Sequence, residues 1–218
     1  AGIAYVRLSE FLQNAPAELD RAINATLQEG ARAWVLDLRE NRGGLLDTAI
    51  EVADRFLASG LIVATQGTRG LSSDRREWRA QRDGTYPALQ MAVLVNEWTA
   101  SSAEIDAGAL RDQYRAVNVG VRTYGKGSVQ ELFPLHDGGA VKLTTRYYFL
   151  PGGECIQRTS PTASGPARWG VEPNEIVPMS AAERESWLKS WLAATWADDE
   201  PPSSATRATA SAEAERVF

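Results

Sequence analysis

The chain has 218 residues, 44% apolar and 23% charged, enough for one full globular domain or a domain with a tail. A net charge of −5 offers no general attraction to nucleic acid or anionic lipid. One cysteine, Cys155, and one histidine, His136, exclude an intrachain disulfide and a Cys/His zinc site; no run is apolar enough to span a bilayer, and neither a signal-peptide nor a calcium-loop pattern is present.

Residues 3–8 alternate like a half-buried strand. A chain that opens in the middle of such a pattern is expected to be a fragment of a longer protein. Asn14 and Pro16 then open a helix on which Leu19, Ile23 and Leu27 recur, and Gly30 stops it. Ala33 to Leu38 is a short apolar run that predicts a buried strand, and Arg39 to Gly44 turns the chain. A second helix is expected with Leu46, Ile50, Ala53 and Leu57 on one face and Gly60 beyond its end. Residues 66–89 are polar and turn-rich apart from Trp78. Within them Arg75, Arg76 and Arg79 are nearly balanced by Asp74, Glu77 and Asp83, which argues for a solvated strand or loop rather than a nucleic-acid patch.

Met91 to Val95 predicts another buried strand, 101–113 a helix with Ile105, Ala109 and Leu110 inward, and Arg115 to Val121 a strand. Further strands are expected at 128–133 and 140–149, with a turn at Pro151-Gly152-Gly153. Ser180 to Ala197 reads as a helix opened by a Ser180/Glu183 capping box. Its stripe of Trp187, Leu188, Trp191 and Leu192 either packs on the domain or forms a partner or subunit surface. From Asp198 onward the composition predicts a disordered tail. Alternating strands and helices of these lengths indicate an α/β layered architecture.

The chemistry concentrates in two segments, Thr99-Ala100-Ser101-Ser102-Ala103-Glu104 and Tyr124-Gly125-Lys126-Gly127-Ser128-Val129-Gln130. A serine hydroxyl needs a base to act as a nucleophile. His136 lies in a turn-like Leu135-His136-Asp137-Gly138-Gly139, so a lysine, the base of a known triad variant, is the better partner. Ser-x-x-Glu at 101–104 also matches a helix capping box, so Ser101 has a purely structural reading too. Both readings place it at a helix start, near unpaired N–H groups able to hold an oxyanion.

Lys126 is either a solvated loop residue or a base; as a base it would have to be neutral, which calls for a buried amine away from carboxylates. Gln130 either orients that amine through its carbonyl or is an ordinary strand residue. Gly120 to Gly127 approaches a phosphate loop, but Gly127 replaces the magnesium-binding hydroxyl and a strand replaces the helix that follows. Gly43 and Gly44 either make a plain turn or offer an N–H to a reaction centre.

Taken together, these segments resemble the carboxyl-terminal processing (tail-specific) serine proteases. The likeness extends through Gly2 to Leu8, Val35 to Leu46, Val93 to Asn96, the serine segment, Gly120 to Gln130, Val141 to Tyr148 and Gly170 to Pro173, or about residues 2–178. It implies a mixed-sheet layered core similar to the crotonase/Clp protease fold, followed by a C-terminal helix and a disordered tail. In terms of domains, that gives a catalytic core at 1–179, the helix at 180–197 and the tail at 198–218.

By resemblance, Ser101 is the nucleophile, Lys126 the base and Gln130 its orienting partner. The oxyanion donors are the N–H of Ser102 and that of Gly43 or Gly44. No metal or other cofactor is implied. The expected partners are proteins or peptides with apolar carboxyl termini, not nucleic acid, and the helix bearing Trp187 and Trp191 is a candidate for homo-oligomer contacts. The expected location is the periplasm or cell envelope.

The chain departs from the family pattern in two ways. The family usually carries a peptide-binding PDZ domain, which this sequence lacks. Glu97 and Trp98 stand where it usually has small residues, and are expected to narrow or block the site. Ser102 becomes the nucleophile if the local register differs. A catalytically impaired, peptide-binding relative is the alternative reading.

Overall fold

Residues 2–67, 74–81, 83, 85–136, 138–158 and 169–196 are described by a computed structural model. The expected disordered tail lies outside them. A parallel sheet carries β1 (Ile3–Arg7), β2 (Ala33–Asp37), β5 (Gln90–Val95), β6 (Val117–Gly120) and β9 (Glu175–Ile176), in the order β1-β2-β5-β6-β9. An antiparallel sheet carries β3 (Leu61–Gly67), β4 (Arg75–Arg79), β7 (Ser128–Pro134) and β8 (Ala140–Phe149), in the order β4-β3-β8-β7. This is the mixed-sheet α/β core that the sequence predicts.

The helices are α1 (Ala15–Gln28), α2 (Leu46–Asp54), α3 (Ser102–Asp112) and α4 (Ala181–Trp196). α2 packs on α1 and α3, and both α2 and α3 also contact β3, so this helical layer links the two sheets. Every residue of β2 is buried, which accounts for its apolar run from Ala33 to Leu36. Gly108 lets α3 approach the second sheet closely: a Cβ there would lie 2.4 Å from Leu150 Cδ2. Trp34 anchors the other end of the core, its ring 6.0 Å from Phe56 and 5.9 Å from Tyr86 in edge-on arrangements.

The solvated strand or loop expected at Arg75 to Arg79 is the strand β4, which forms an edge against β3 and pairs its own arginines with Asp74 and Glu77. Two expectations need correction. β3 itself gave no separate signal, because its short apolar run abuts Gly60 on one side and polar sequence on the other. The second helix stops at Asp54 and does not reach Leu57. Its last turn tightens as the Phe56 N–H donates to Ala53 O at 3.0 Å, and the Tyr86 N–H takes the Arg55 carbonyl at 2.7 Å.

α4 packs on the domain. The Arg7 guanidinium lies 4.0 Å from the Trp191 ring centre and 5.1 Å from that of Trp187, and Arg39 lies 4.3 Å from Trp187. Fully buried Asp37 fixes Arg39 from below at 2.7 Å. Leu192 on the same helix stays 45% exposed. Among the described residues no helix is long and apolar enough to cross a membrane.

Asp106, in the middle of α3, is fully buried, and neither of its carboxyl oxygens has a hydrogen-bond partner among the described residues. Burial therefore pushes its pKa well above the ordinary 3.8. A carboxyl raised in the folded state favours folding below its unfolded pKa, and that contribution is lost as pH rises through the folded value. Asp106→Asn is expected to flatten this loss. Urea unfolding should show the variant gaining on the parent from pH 5 to pH 8, by about 1–3 kcal/mol at the upper end.

Candidate active site

Three turns meet at the C-terminal ends of neighbouring parallel strands, where sheets of this kind place their sites. They follow β2 (38–45), β5 (96–101) and β6 (121–127). A buried side chain and a main-chain bond stitch the first two together: Thr99 Oγ1 donates to Leu38 O at 2.8 Å and the Ala100 N–H to Asn41 O at 2.9 Å. Buried Asn41 also ties the first turn to the end of β1, its Nδ2 donating to Leu8 O at 2.7 Å. The third turn joins them as the Tyr124 N–H donates to Thr99 O at 3.0 Å.

Ser101 lies where β5 gives way to α3, with φ 58° and ψ −119°. A side-chain-bearing residue pays steric strain there, so the surroundings must hold it in place. Gly43 is part of that enclosure: a Cβ on it would lie 2.8 Å from Ser101 Cβ and 2.9 Å from Ser102 N. Only a glycine allows the first turn to pass so close to the serine.

Glu104 ties the serine turn to the lysine turn. Its carboxylate is fully buried in the first turn of α3. Oε1 accepts from Thr123 Oγ1 at 2.6 Å and the Gly125 N–H at 2.7 Å. Oε2 accepts from the Ser101 N–H and the Lys126 N–H, each at 2.8 Å. Burial raises the Glu104 pKa, and the four donors pull the other way. Since every partner donates, the ionised carboxylate is the form these contacts fit. The capping box read at 101–104 is thus present, and its glutamate does more than cap a helix.

Lys126 and Gln130 are both exposed, in contrast to the expected buried amine. The reason is that Glu104 holds the main chain of Lys126, leaving the side chain outside. The Ser101 and Lys126 side chains are not hydrogen-bonded to each other. Close packing explains the flanking glycines: a Cβ would lie 2.7 Å from Trp169 Cδ1 at Gly125 and 2.4 Å from Gln157 N at Gly127. Gln130 lies at a register shift in edge strand β7, a feature that re-aims side chains.

The glycine pair divides its duties. The Gly43 N–H is taken by Asn41 Oδ1 at 2.8 Å. The N–H groups of Gly44 and Ser102 have no partner among the described residues. The Ser102 hydroxyl is buried and donates to Gly44 O at 3.0 Å. His136 is exposed in the turn between β7 and β8. The phosphate-loop look-alike runs from β6 into irregular chain and then β7, with no helix. No group of three His, Cys, Asp or Glu able to hold a metal occurs among the described residues.

Sequence reasoning did not single out Asn41, Asn96, Thr99 or Thr123. Each is a short polar residue next to a turn, and nothing local distinguishes it from ordinary turn chemistry. Glu104 was visible only as the last letter of the capping box.

The chain matches the model of peptidase family S41 over residues 2–177. It is 41% identical over 186 residues to the carboxy-terminal-processing protease of Bartonella bacilliformis, covering 84% of this chain and 40% of that protein. It is 38% identical over 183 residues to the chloroplastic carboxyl-terminal-processing peptidase 2 of Arabidopsis thaliana, covering 84% of this chain and 33% of the relative. The chain therefore spans well under half the length of these curated relatives.

Among solved structures, a photosystem II D1 C-terminal processing protease superposes with a TM-score of 0.71 at 32% identity, covering 81% of this chain and 42% of that one. The tricorn protease shares the fold alone, with a TM-score of 0.51 at 14% identity over 88% of this chain and 17% of that one. On the breadth of the family match and these identities, the chain belongs to peptidase family S41, among the carboxyl-terminal-processing serine proteases.

Proposed function

We propose that this chain is the catalytic core of a serine endopeptidase that works by a Ser101/Lys126 mechanism. The observation that carries the reading is the shared Glu104 carboxylate. It binds the main chain of a serine held on a strained strand-to-helix turn and the main chain of the lysine at the same oxygen. Substrate covering the site excludes water from around the exposed Lys126 amine. The amine takes the Ser101 proton as Oγ attacks the scissile carbonyl.

The N–H groups of Gly44 and Ser102 stabilise the resulting oxyanion. Gly43 drops out of that role, since Asn41 already occupies its N–H. Lys126 then protonates the leaving amine, and an acyl-enzyme forms on Ser101. Water, deprotonated by the same amine, attacks the ester, and the amine returns that proton to Ser101 Oγ as the new carboxyl terminus leaves. Gln130 orients the Lys126 amine. Ser102 serves the structure, because its hydroxyl is buried against Gly44.

The substrates fitting this reading are proteins or peptides with apolar carboxyl termini, met outside the cytoplasm in a periplasm or cell envelope. The catalytic core is assigned to residues 1–179. The exposure of Lys126 favours one second reading, an impaired relative that binds peptides without cutting them.

Ser101→Ala and Lys126→Ala are each expected to reduce cleavage of an unfolded protein by about 10³-fold or more while leaving the far-UV circular dichroism unchanged. Near-parental cleavage by either variant removes the assignment. A folded parent that binds peptide yet neither cuts it nor reacts with a serine-directed probe establishes the impaired relative.

Glu104→Gln replaces one accepting oxygen with an amide donor facing main-chain N–H groups. It is expected to cost about 2–4 kcal/mol in urea unfolding and to slow probe labelling of Ser101. Unchanged stability would remove Glu104 as the tie between the two turns.

A further inference from the structure

α4 begins at Ala181, beyond residue 177 where the family match ends, yet it reaches the turns that build the site. Arg184 makes the connection. Its Nη2 donates to Glu40 Oε1 at 2.9 Å, its Nη1 lies 3.6 Å from Glu97 Oε1, and its guanidinium lies 5.3 Å from the Trp98 ring centre. Arg42 covers the same ring at 4.2 Å. Glu97 and Trp98, the residues expected to obstruct the site, are therefore engaged by arginines from α4 and from the turn after β2.

Glu40 and Glu97 stand on different turns. Glu40 lies four residues before Gly44 and takes a positive φ of 62°. Glu97 lies four residues before Ser101. Asn96 joins these turns from within: its Oδ1 accepts the Glu40 and Trp98 N–H groups, each at 3.1 Å, and its Nδ2 donates to Glu40 Oε1 at 3.1 Å. Arg184 closes the same junction from outside. An isolated surface ion pair contributes little. A planar guanidinium that spans carboxylates on two turns and lies near an aromatic ring does more, because its rigid fork sets their separation.

We propose that Arg184 is a positioning residue. It keeps the turn carrying the oxyanion glycine in register with the turn carrying the nucleophile, so that a helix outside the family match sets the acylation rate. This rests on the reading of Ser101 as the nucleophile. Arg184 touches no reacting atom. Its effect falls on the rate of reaction at Ser101 and not on substrate affinity.

The test is the second-order rate at which a fluorophosphonate labels Ser101 in the 218-residue chain, with urea unfolding midpoints measured alongside. Arg184→Ala is expected to slow labelling about tenfold, and Glu97→Ala about threefold. The double variant should be no slower than Arg184→Ala, since both changes cut one link. Arg184→Lys keeps a charge for Glu40 but loses the fork, and should fall between parent and Arg184→Ala. With a peptide substrate the loss should appear in kcat with KM unchanged.

Trp191→Ala, which loosens the far end of α4, provides the comparison. It should lower the unfolding midpoint at least as much as Arg184→Ala while slowing labelling less. Labelling of Arg184→Ala within twofold of the parent overturns the proposal, as does slowing that simply tracks the unfolding midpoint across the variants. If Arg184→Ala does not fold, Arg184→Lys and Glu97→Ala decide by the same criteria. Labelling that survives Ser101→Ala overturns the nucleophile assignment and this proposal with it; Ser101-dependent labelling indifferent to Arg184 overturns this proposal alone.

Discussion

A buried carboxylate in the first turn of α3 holds the site together. Glu104 loses its hydration and recovers it as four hydrogen bonds, from Ser101, Thr123, Gly125 and Lys126. Three of those donors are main-chain N–H groups in turns, which would otherwise be unpaired inside the protein. The carboxylate therefore stabilises the chain on both sides of it, and the strained backbone at Ser101 is held by a contact that also locates Lys126. A site built this way is as rigid as the helix that carries its glutamate.

The same logic recurs one layer out. Asn41 binds Leu8 O and the Gly43 N–H, and Thr99 spans from Leu38 O to the Asn96 N–H. These side chains take over main-chain groups that the parallel ladder cannot pair once β2 and β5 have ended. They also sort the glycine N–H groups. One is consumed by Asn41, while the next, like the N–H of Ser102 at the start of α3, has no partner among the described residues. The contacts of α4 with Glu40, Glu97 and Trp98 form the outermost ring around these turns.

Much of the architecture was legible in the chain. Buried parallel strands are continuous apolar runs, so β2 and β5 stood out, and helices with one apolar face, such as α1 and α3, carried their 3.6-residue period. β3 was missed because a short apolar run after a glycine has no period of its own. β4 could be read only as a solvated strand or loop, because an exposed edge strand with a single inward residue, Trp78, has almost no apolar pattern. The overlong second helix ended where Tyr86, thirty-one residues after Arg55, takes its carbonyl, a long-range contact that no local window contains.

By itself the sequence carried the α/β class and the resemblance to the family, and through that resemblance it marked Ser101, Lys126 and Gln130 as candidates for the chemistry. The class follows from residue type and periodicity, which are local properties, and the resemblance from motifs spread along the chain. Only the tertiary structure decided that Glu104 joins the serine and lysine turns, that Gly44 and not Gly43 keeps its N–H open, that Lys126 faces outward, and that Trp98 is gripped by arginines from two elements. Each of these depends on which segments the sheet order brings side by side, and on how buried polar groups divide a limited set of partners once they are there.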